Sequence, residues 1–394
     1  SSRACRPSVI LSRLGCPQWH AEYPAHPSLS GLWTYTTRRD ITAAPDAPTT
    51  LASHPFLEIA MSDMNLPSGA MPPHDLLPRG CIWTPEIEKA LAVATEQIRL
   101  DLPGMLMGGM QRNGKSEASR YIAATLSTYL NYPVCVIRWT IPDDETANKR
   151  CFYQERLLQS GHLGIGNRDM GVLRGRLFDH LASLAQSQGA HRLVLLIDEA
   201  QNLTRPEYGQ LVYIFNELER RGLNPFMMLI GQPELLELST RWLRAETLQF
   251  LGRFSSTTHE FQGIELDDIG DVLSGFDDDS EGPESSAAYR TSPGAYAEGW
   301  RVAQLSGTMR LCVENLLHAQ DITQPVRLPM QYLRSFLAAI LYRIHQDRIE
   351  PQLLPQAVAA ACLKASGFFA VIRFYAVQRE DGKRAGSKHR NSGA

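Results

Sequence analysis

The stretch GGMQRNGKSEASR, Gly108–Arg120, contains Gly109-Met-Gln-Arg-Asn-Gly114-Lys115-Ser116. It satisfies G-x-x-x-x-G-K-[ST] without a mismatch. A loop that wraps phosphates needs glycine where the backbone turns tightly and where N–H groups approach oxygens. The helix opening near Lys115 aims free N–H groups and its positive dipole end at the same place. Lys115 is placed to neutralise the β- and γ-phosphates and Ser116 to ligate Mg²⁺. The same letters could spell a glycine turn capping a helix, so the surroundings decide. The apolar run GMLMGG precedes the stretch and the helical pattern EASRYIAATLSTYL follows it, which is a strand–loop–helix unit. Gly109, Met110, Gln111, Arg112, Asn113, Gly114, Lys115, Ser116 and Glu117 form the candidate cofactor-binding set, with ATP and Mg²⁺ as the cofactors.

A second element agrees. LVLLIDEAQ sets Asp198 and Glu199 at the carboxyl end of an apolar strand. The first carboxylate suits the Mg²⁺ shell, and the second suits orienting and polarising the attacking water. Alone, the pair could be a solvated acidic loop after a core strand. LIGQPEL puts Gln232 after another apolar strand, where it either reaches the γ-phosphate and water or merely precedes the turn at Pro233.

Outward from these motifs, strands and helices alternate. Ile87, Ala90, Leu91, Ala94 and Ile98 recur at helical spacing behind Thr84-Pro85, a cap and first-turn proline. Tyr132–Trp139 (YPVCVIRW) is β-rich, DMGVLRGRLFDHLASLAQSQG is amphipathic, and PEYGQLVYIFNELERRG is a helix closed by Gly222. NPFMMLIG supplies a further strand. Strands that are apolar on every residue belong to a parallel sheet covered on both faces. The expected fold class is therefore α/β: a P-loop core with a parallel sheet flanked by helices over residues 81–262. Residues 263–378 form a small α-helical lid with C-terminal helices. Within them GIELDDIGDVLSGFDDDSEGPESS reads as acidic and then loop-like, while EGWRVAQLSGTMRLCVENLLHAQ and PMQYLRSFLAAILYRIHQDRI are helical.

The ends differ in composition. Residues 1–80, rich in Pro, Ser, Ala and Thr, read as disordered or as an upstream leader, with Met61 before a plausible start. Residues 379–394 read as a basic flexible tail carrying Lys383, Arg384, Lys388 and Arg390. The 394 residues, 43% hydrophobic and 21% charged with a net charge of −3, are an ordinary globular composition. No apolar run approaches the roughly 20 residues that span a bilayer, and no secretory signal is seen. The expectation is no membrane partner. Seven cysteines, none at C-x-x-C spacing, argue against a disulfide framework or zinc ribbon and for a reducing cytoplasm. Cys16 and His20 are the nearest approach to a metal pair.

With these residues in view, the chain resembles the AAA+ superfamily, and within it the TniB/TnsC-type ATPases of transposable elements. IWTP, GGMQRNGKS, LVLLIDEAQNL and GQPEL carry the resemblance, in that order, over roughly residues 80–320. DEAQ followed by GQPEL also occurs in ATPases resembling the ExeA secretion group, so a secretion- or regulation-associated ATPase without a DNA role is the alternative. The resemblance implies that Lys115 and Ser116 are the Walker A pair, Asp198 and Glu199 the Walker B pair, and Gln232 the first sensor. It also implies an arginine donated to the neighbouring subunit's site, for which Arg253 is the candidate and Arg241 and Arg244 are rivals. A second sensor on the lid would be Arg310. Glu199, Lys115, Gln232 and Arg253 are thus the catalytic candidates. The implied partners are duplex DNA, further copies of the chain in a ring or filament, and a transposase with a target-selection protein. Lys149 and Arg150, in an expected loop after the second strand, are the DNA-contact candidates.

Overall fold

The computed structural model describes residues 73–78, 80–143, 148–166, 168–244 and 248–376. The stretch 1–72, with Cys16 and His20, and the basic tail lie outside the described residues. The α/β half opens with α1 (Pro85–Arg99), where Thr84 Oγ1 accepts the Ile87 N–H at 3.2 Å and Pro85 takes the first turn. Then come β1 (Gly104–Gly108), α2 (Lys115–Leu130), β2 (Val134–Thr140), α3 (Lys149–Gln159), α4 (Met170–Ser187) and β3 (Arg192–Asp198). They are followed by α5 (Arg205–Arg220), β4 (Asn224–Gly231), α6 (Leu238–Arg244), α7 (Leu248–Phe254) and β5 (Thr258–Glu260).

The five strands pair in parallel in the order β2-β3-β4-β1-β5. Successive residues of a strand face opposite sides, and here both sides are covered. Leu193, Leu195 and Ile197 of β3 pack with α3, α4, α5 and α7, while Val194 and Leu196 pack with α1 and α2. That is why the strand is apolar throughout. From β1 the chain crosses to the far edge at β2, works back to β4, and then passes beyond β1 to β5. The carboxyl end of β1 is therefore a topological switch point, where such sheets open a crevice.

The helical half contains α8 (Ile269–Ser274), α9 (Ala287–Thr291), α10 (Pro293–Ala297), α11 (Ser306–Ala319), α12 (Met330–Asp347), α13 (Gln356–Ala365) and α14 (Phe368–Ala376). Phe276, Trp300, Phe336 and Phe368 lie in one buried cluster with apolar residues of α8, α9, α11, α12 and α13. An antiparallel bridge, Ile264 with Leu328, ties its beginning to the approach of α12. Among the described residues no single helix is long and apolar enough to cross a membrane.

Three expectations are corrected. The acidic segment after Gly263 is helical and packed before its loop begins: Val272, Leu273 and Phe276 are buried, the Asp277 carboxylate accepts the N–H groups of Val302 (2.9 Å) and Ala303 (3.0 Å), and only 278–282 are irregular. Its acid caps backbone donors that the local sequence does not reveal. Lys149 and Arg150 are not in a loop but open α3, because Asn148 Oδ1 accepts the N–H groups of Arg150 and Cys151. Residues 73–78 belong to the packed body, since Leu76 and Leu77 are buried in the helical cluster.

Candidate functional site

The loop after β1 is held from both sides by backbone. Gly109 N donates to Gly231 O of β4 at 3.1 Å, Phe261 N donates to Gly108 O at 2.7 Å, and Asn113 Nδ2 donates to Phe261 O at 3.2 Å. A Cβ on Gly109 would collide with the Phe261 carbonyl oxygen, so glycine is required by close approach there. The loop then turns through Arg112 (φ 66°) and Gly114 (φ 103°) into α2. The N–H groups of Gly114, Lys115, Ser116 and Glu117 find no acceptor among the described residues. These unsatisfied donors at the positive end of a helix dipole suit an anion.

Lys115 Nζ donates to Gly109 O at 2.7 Å and to Met110 O at 2.9 Å, so the ammonium lies inside the curl of the loop. Burial pulls its pKa below the usual lysine range, and the negative fields of Glu199, Asp198 and Glu234 oppose that. Asp198 is buried at the end of β3, and its Oδ1 accepts the Glu199 N–H at 3.0 Å. Glu199 leaves the strand with φ 55°, which swings its side chain towards the cavity it lines. Ser116 Oγ has no hydrogen bond among the described residues, and the second oxygen of Asp198 is not used by the Glu199 N–H. A hydroxyl and a carboxylate are hard oxygen donors of the kind Mg²⁺ takes, with water and phosphate completing its shell. The residues present therefore fit a magnesium–nucleotide complex.

The cavity is about 540 Å³, within the usual range for a small-molecule site. Gly80, Cys81, Ile82, Thr84 and Ile87 form one wall. The loop from Gln111 to Glu117, Glu199 and Gln232 form the floor, and Met330, Gln331 and Arg334 of α12 complete the rim. The helical half also grips the tip of the loop. Gln331 N donates to Arg112 O at 3.2 Å, and Arg112 Nη1 donates to the Tyr332 hydroxyl at 2.8 Å. The Tyr375 hydroxyl of α14 donates to Gln111 O at 3.1 Å.

The structure thus brings Gln111–Glu117, Glu199 and Gln232 to one cavity, with Gly109 and Met110 bound to the Lys115 ammonium; Asp198 does not line the cavity but holds the Glu199 N–H and acts on the Lys115 charge. Arg310 is elsewhere: its guanidinium pairs with Glu314 at 2.7 Å and with Asp267, and it does not line the cavity. The arginine on the lid wall is Arg334, which sequence reasoning missed. Its Nη2 donates to Pro78 O at 2.7 Å and its guanidinium lies over the Phe276 ring. Burial lowers its pKa, opposed by Glu117 and Cys81. The available signal was a cation between Leu333 and Phe336 on an apolar helix, four residues after Met330. Arg253 lies at the opposite, amino end of the strands, its carbonyl beside Gly104 at the start of β1, with Nη2 donating to Asn216 Oδ1 at 2.6 Å. It does not reach the cavity of its own chain. Arg241 is exposed and pairs with Glu237, and the Arg244 side chain lies outside the described residues. Lys149 and Arg150 are exposed at the start of α3.

The family model of the AAA domain matches residues 105–238. Among solved structures, the ORC2 protein of Aeropyrum pernix, in ADPNP–ADP complexes, is similar with a TM-score of 0.50 and 10% identity. The match covers 74% of this chain and 71% of that one. The ORC1 protein of the same organism, in complex with DNA, aligns at 15% identity over 75% of this chain and 69% of that one, TM-score 0.45. Cdc6p from Pyrobaculum aerophilum aligns at 12% identity over 71% and 67%, TM-score 0.44. No curated protein matches the chain. The chain has the P-loop AAA+ fold, a five-stranded parallel sheet flanked by helices and followed by a helical region.

Proposed function

We propose that this chain is an ATPase that binds ATP in the cavity between the glycine loop, the end of β3 and α12. One observation carries the reading: the Lys115 ammonium, four unsatisfied N–H groups and the Asp198–Glu199 pair converge at the switch point of one parallel sheet. Lys115 and the loop amides hold the β- and γ-phosphates, and Ser116 and Asp198 hold Mg²⁺. The ion, when bound, draws charge from the phosphate oxygens. Glu199 orients and polarises the attacking water, Gln232 faces the γ-phosphate, and Arg334 takes the lid position that the sequence resemblance gave to Arg310. Arg253, remote from its own cavity, is kept as the cation offered to a neighbouring copy. Calorimetry and phosphate release test this. ATP uptake with Glu199→Gln retaining affinity and losing at least about 100-fold in kcat is expected. No heat of ATP binding by folded protein would overturn it.

The finer reading is that copies assemble on duplex DNA as a ring or filament and recruit or regulate a transposase together with a target-selection protein. It is supported by the resemblance carried by IWTP, GGMQRNGKS, LVLLIDEAQNL and GQPEL, and by exposed Lys149 and Arg150, whose positive charges at a helix N-terminus gain more from external phosphate than from their own helix. Electron microscopy with duplex DNA, with and without a non-hydrolysable ATP analogue, tests it. Nucleotide-dependent assemblies on DNA are expected, weakened by a Lys149→Ala/Arg150→Ala double variant. Assembly indifferent to DNA would favour the secretion- or regulation-associated alternative.

A further inference from the structure

Three glutamines run between the loop and Glu199. Gln111 Nε2 donates to Gln232 Oε1 at 3.2 Å, Gln232 N donates to Gln201 Oε1 at 3.1 Å, and Gln201 Nε2 donates to Glu199 Oε2. A backbone N–H can only donate, so Gln232 fixes which end of the Gln201 amide faces β4 and leaves the NH₂ end for the carboxylate. The space for that amide is reserved: a Cβ on Gly231, the last residue of β4, would collide with Gln201 Oε1. The Glu199 main chain is already set by its positive φ and by the Asp198 carboxylate. Gln201 supplies what is missing, a grip on the Glu199 side chain itself.

We infer that Gln201 is a positioning residue for hydrolysis, which couples the carboxylate of Glu199 to the backbone of Gln232. It does not line the cavity and acts only through these two neighbours. A displacement of Gln232 by a γ-phosphate is passed by the Gln201 amide to Glu199, so the water-orienting group is aligned when triphosphate is present. The inference rests on the reading of Glu199 as the residue that activates water.

The test uses the full chain and measures ATP affinity by calorimetry and kcat by phosphate release. Gln201→Met keeps the length and loses both polar ends. We expect it to lower kcat by about tenfold with ATP affinity within about twofold, because an interaction made to the water-orienting group is felt in the chemical step and not in ground-state binding. Gln201→Glu, which keeps an acceptor for the Gln232 N–H but turns like charge on Glu199, falls at least as far. Gly231→Ala falls likewise in the native background and adds at most about twofold in a Gln201→Ala background, where the amide it would displace is gone and only the milder contacts with the residue 201 N–H and Leu235 remain. If Gly231→Ala does not fold, as judged by circular dichroism, Gln201→Met carries the test alone. A Gln201→Met kcat within twofold of the native chain, or a parallel loss of ATP affinity, overturns the positioning role. A native chain that binds ATP without hydrolysing it, or a Glu199→Gln variant that hydrolyses normally, overturns the Glu199 reading instead and the inference with it.

Discussion

The α/β half carries its site on backbone, and the helical half covers that site with side chains. On the sheet side, Gly109 is pressed against the Phe261 carbonyl and Gly231 against Gln201, and every residue of β1 and β3 is buried. On the helical side, helices as short as Ala287–Thr291 and Pro293–Ala297 are held by a shared aromatic and aliphatic cluster, and α12 presents Met330, Gln331 and Arg334 to the cavity. Parallel strands with apolar residues on both faces have one register, whereas helix faces repack by small sliding movements. The half in which we place the phosphate grip is built from the less adjustable material.

The largest expected effect tests whether the halves are separable. Phe276→Ala, in the helical cluster, should cost about 3–5 kcal/mol. Hydrogen exchange should show lost protection in α8, α9 and α12 with β1, β3 and β4 still protected. Equal loss across the sheet would make the molecule one cooperative unit and break the comparison. Next comes the division of labour in binding. Lys115→Ala should weaken ATP about 100-fold, about 2.7 kcal/mol, and Arg334→Ala about tenfold, about 1.4 kcal/mol. A reversed order in calorimetry would move the main phosphate grip from the sheet to the lid.

Smaller effects sharpen the picture within the α/β half. Asn148→Ala removes the cap of α3 and should cost about 1 kcal/mol, seen as faster exchange confined to α3. Asp101 receives Asn224 Nδ2 and Arg192 Nη2, and these two hydrogen bonds hold its carboxyl below the usual range. A carboxyl with a depressed folded pKa stabilises above its unfolded value of about 3.9, and loses that contribution as pH falls through the folded value. The side chain is largely exposed, so Asp101→Asn should cost only a few tenths of a kcal/mol at neutral pH. Asparagine tolerates the positive φ of that position, and the difference should vanish in melts near pH 2.

What was legible followed the same division. GMLMGG, VCVIRW and LVLLID are apolar on consecutive residues, a local signal that needs no knowledge of partners, and the loop between β1 and α2 is spelled in its own letters. The helical half depends on partners remote in sequence. FDDDSEGPESS has the charge of a loop, yet Asp277 is spent on the amides of Val302 and Ala303. Arg310 and Arg334 both sit in helices with apolar stripes, and only the path of α12 across the cavity separates them. The helices α13 and α14 fall within the helical region expected through residue 378, but AVAAACLKASGFFAVIRFYA, small and apolar without a sharp polar face, does not show where one ends and the next begins. Lys149 and Arg150 carry the polar composition of a loop, and the signal that they open a helix is the cap residue Asn148.

The grip of Tyr375 on the Gln111 carbonyl joins residues 264 positions apart. During synthesis the chain emerges from its amino end, so the glycine loop leaves the ribosome long before the hydroxyl that anchors its tip exists. A nascent chain halted after β5 would own the sheet, the lysine and both acids, yet its loop would lack the contacts of Gln331, Tyr332 and Tyr375.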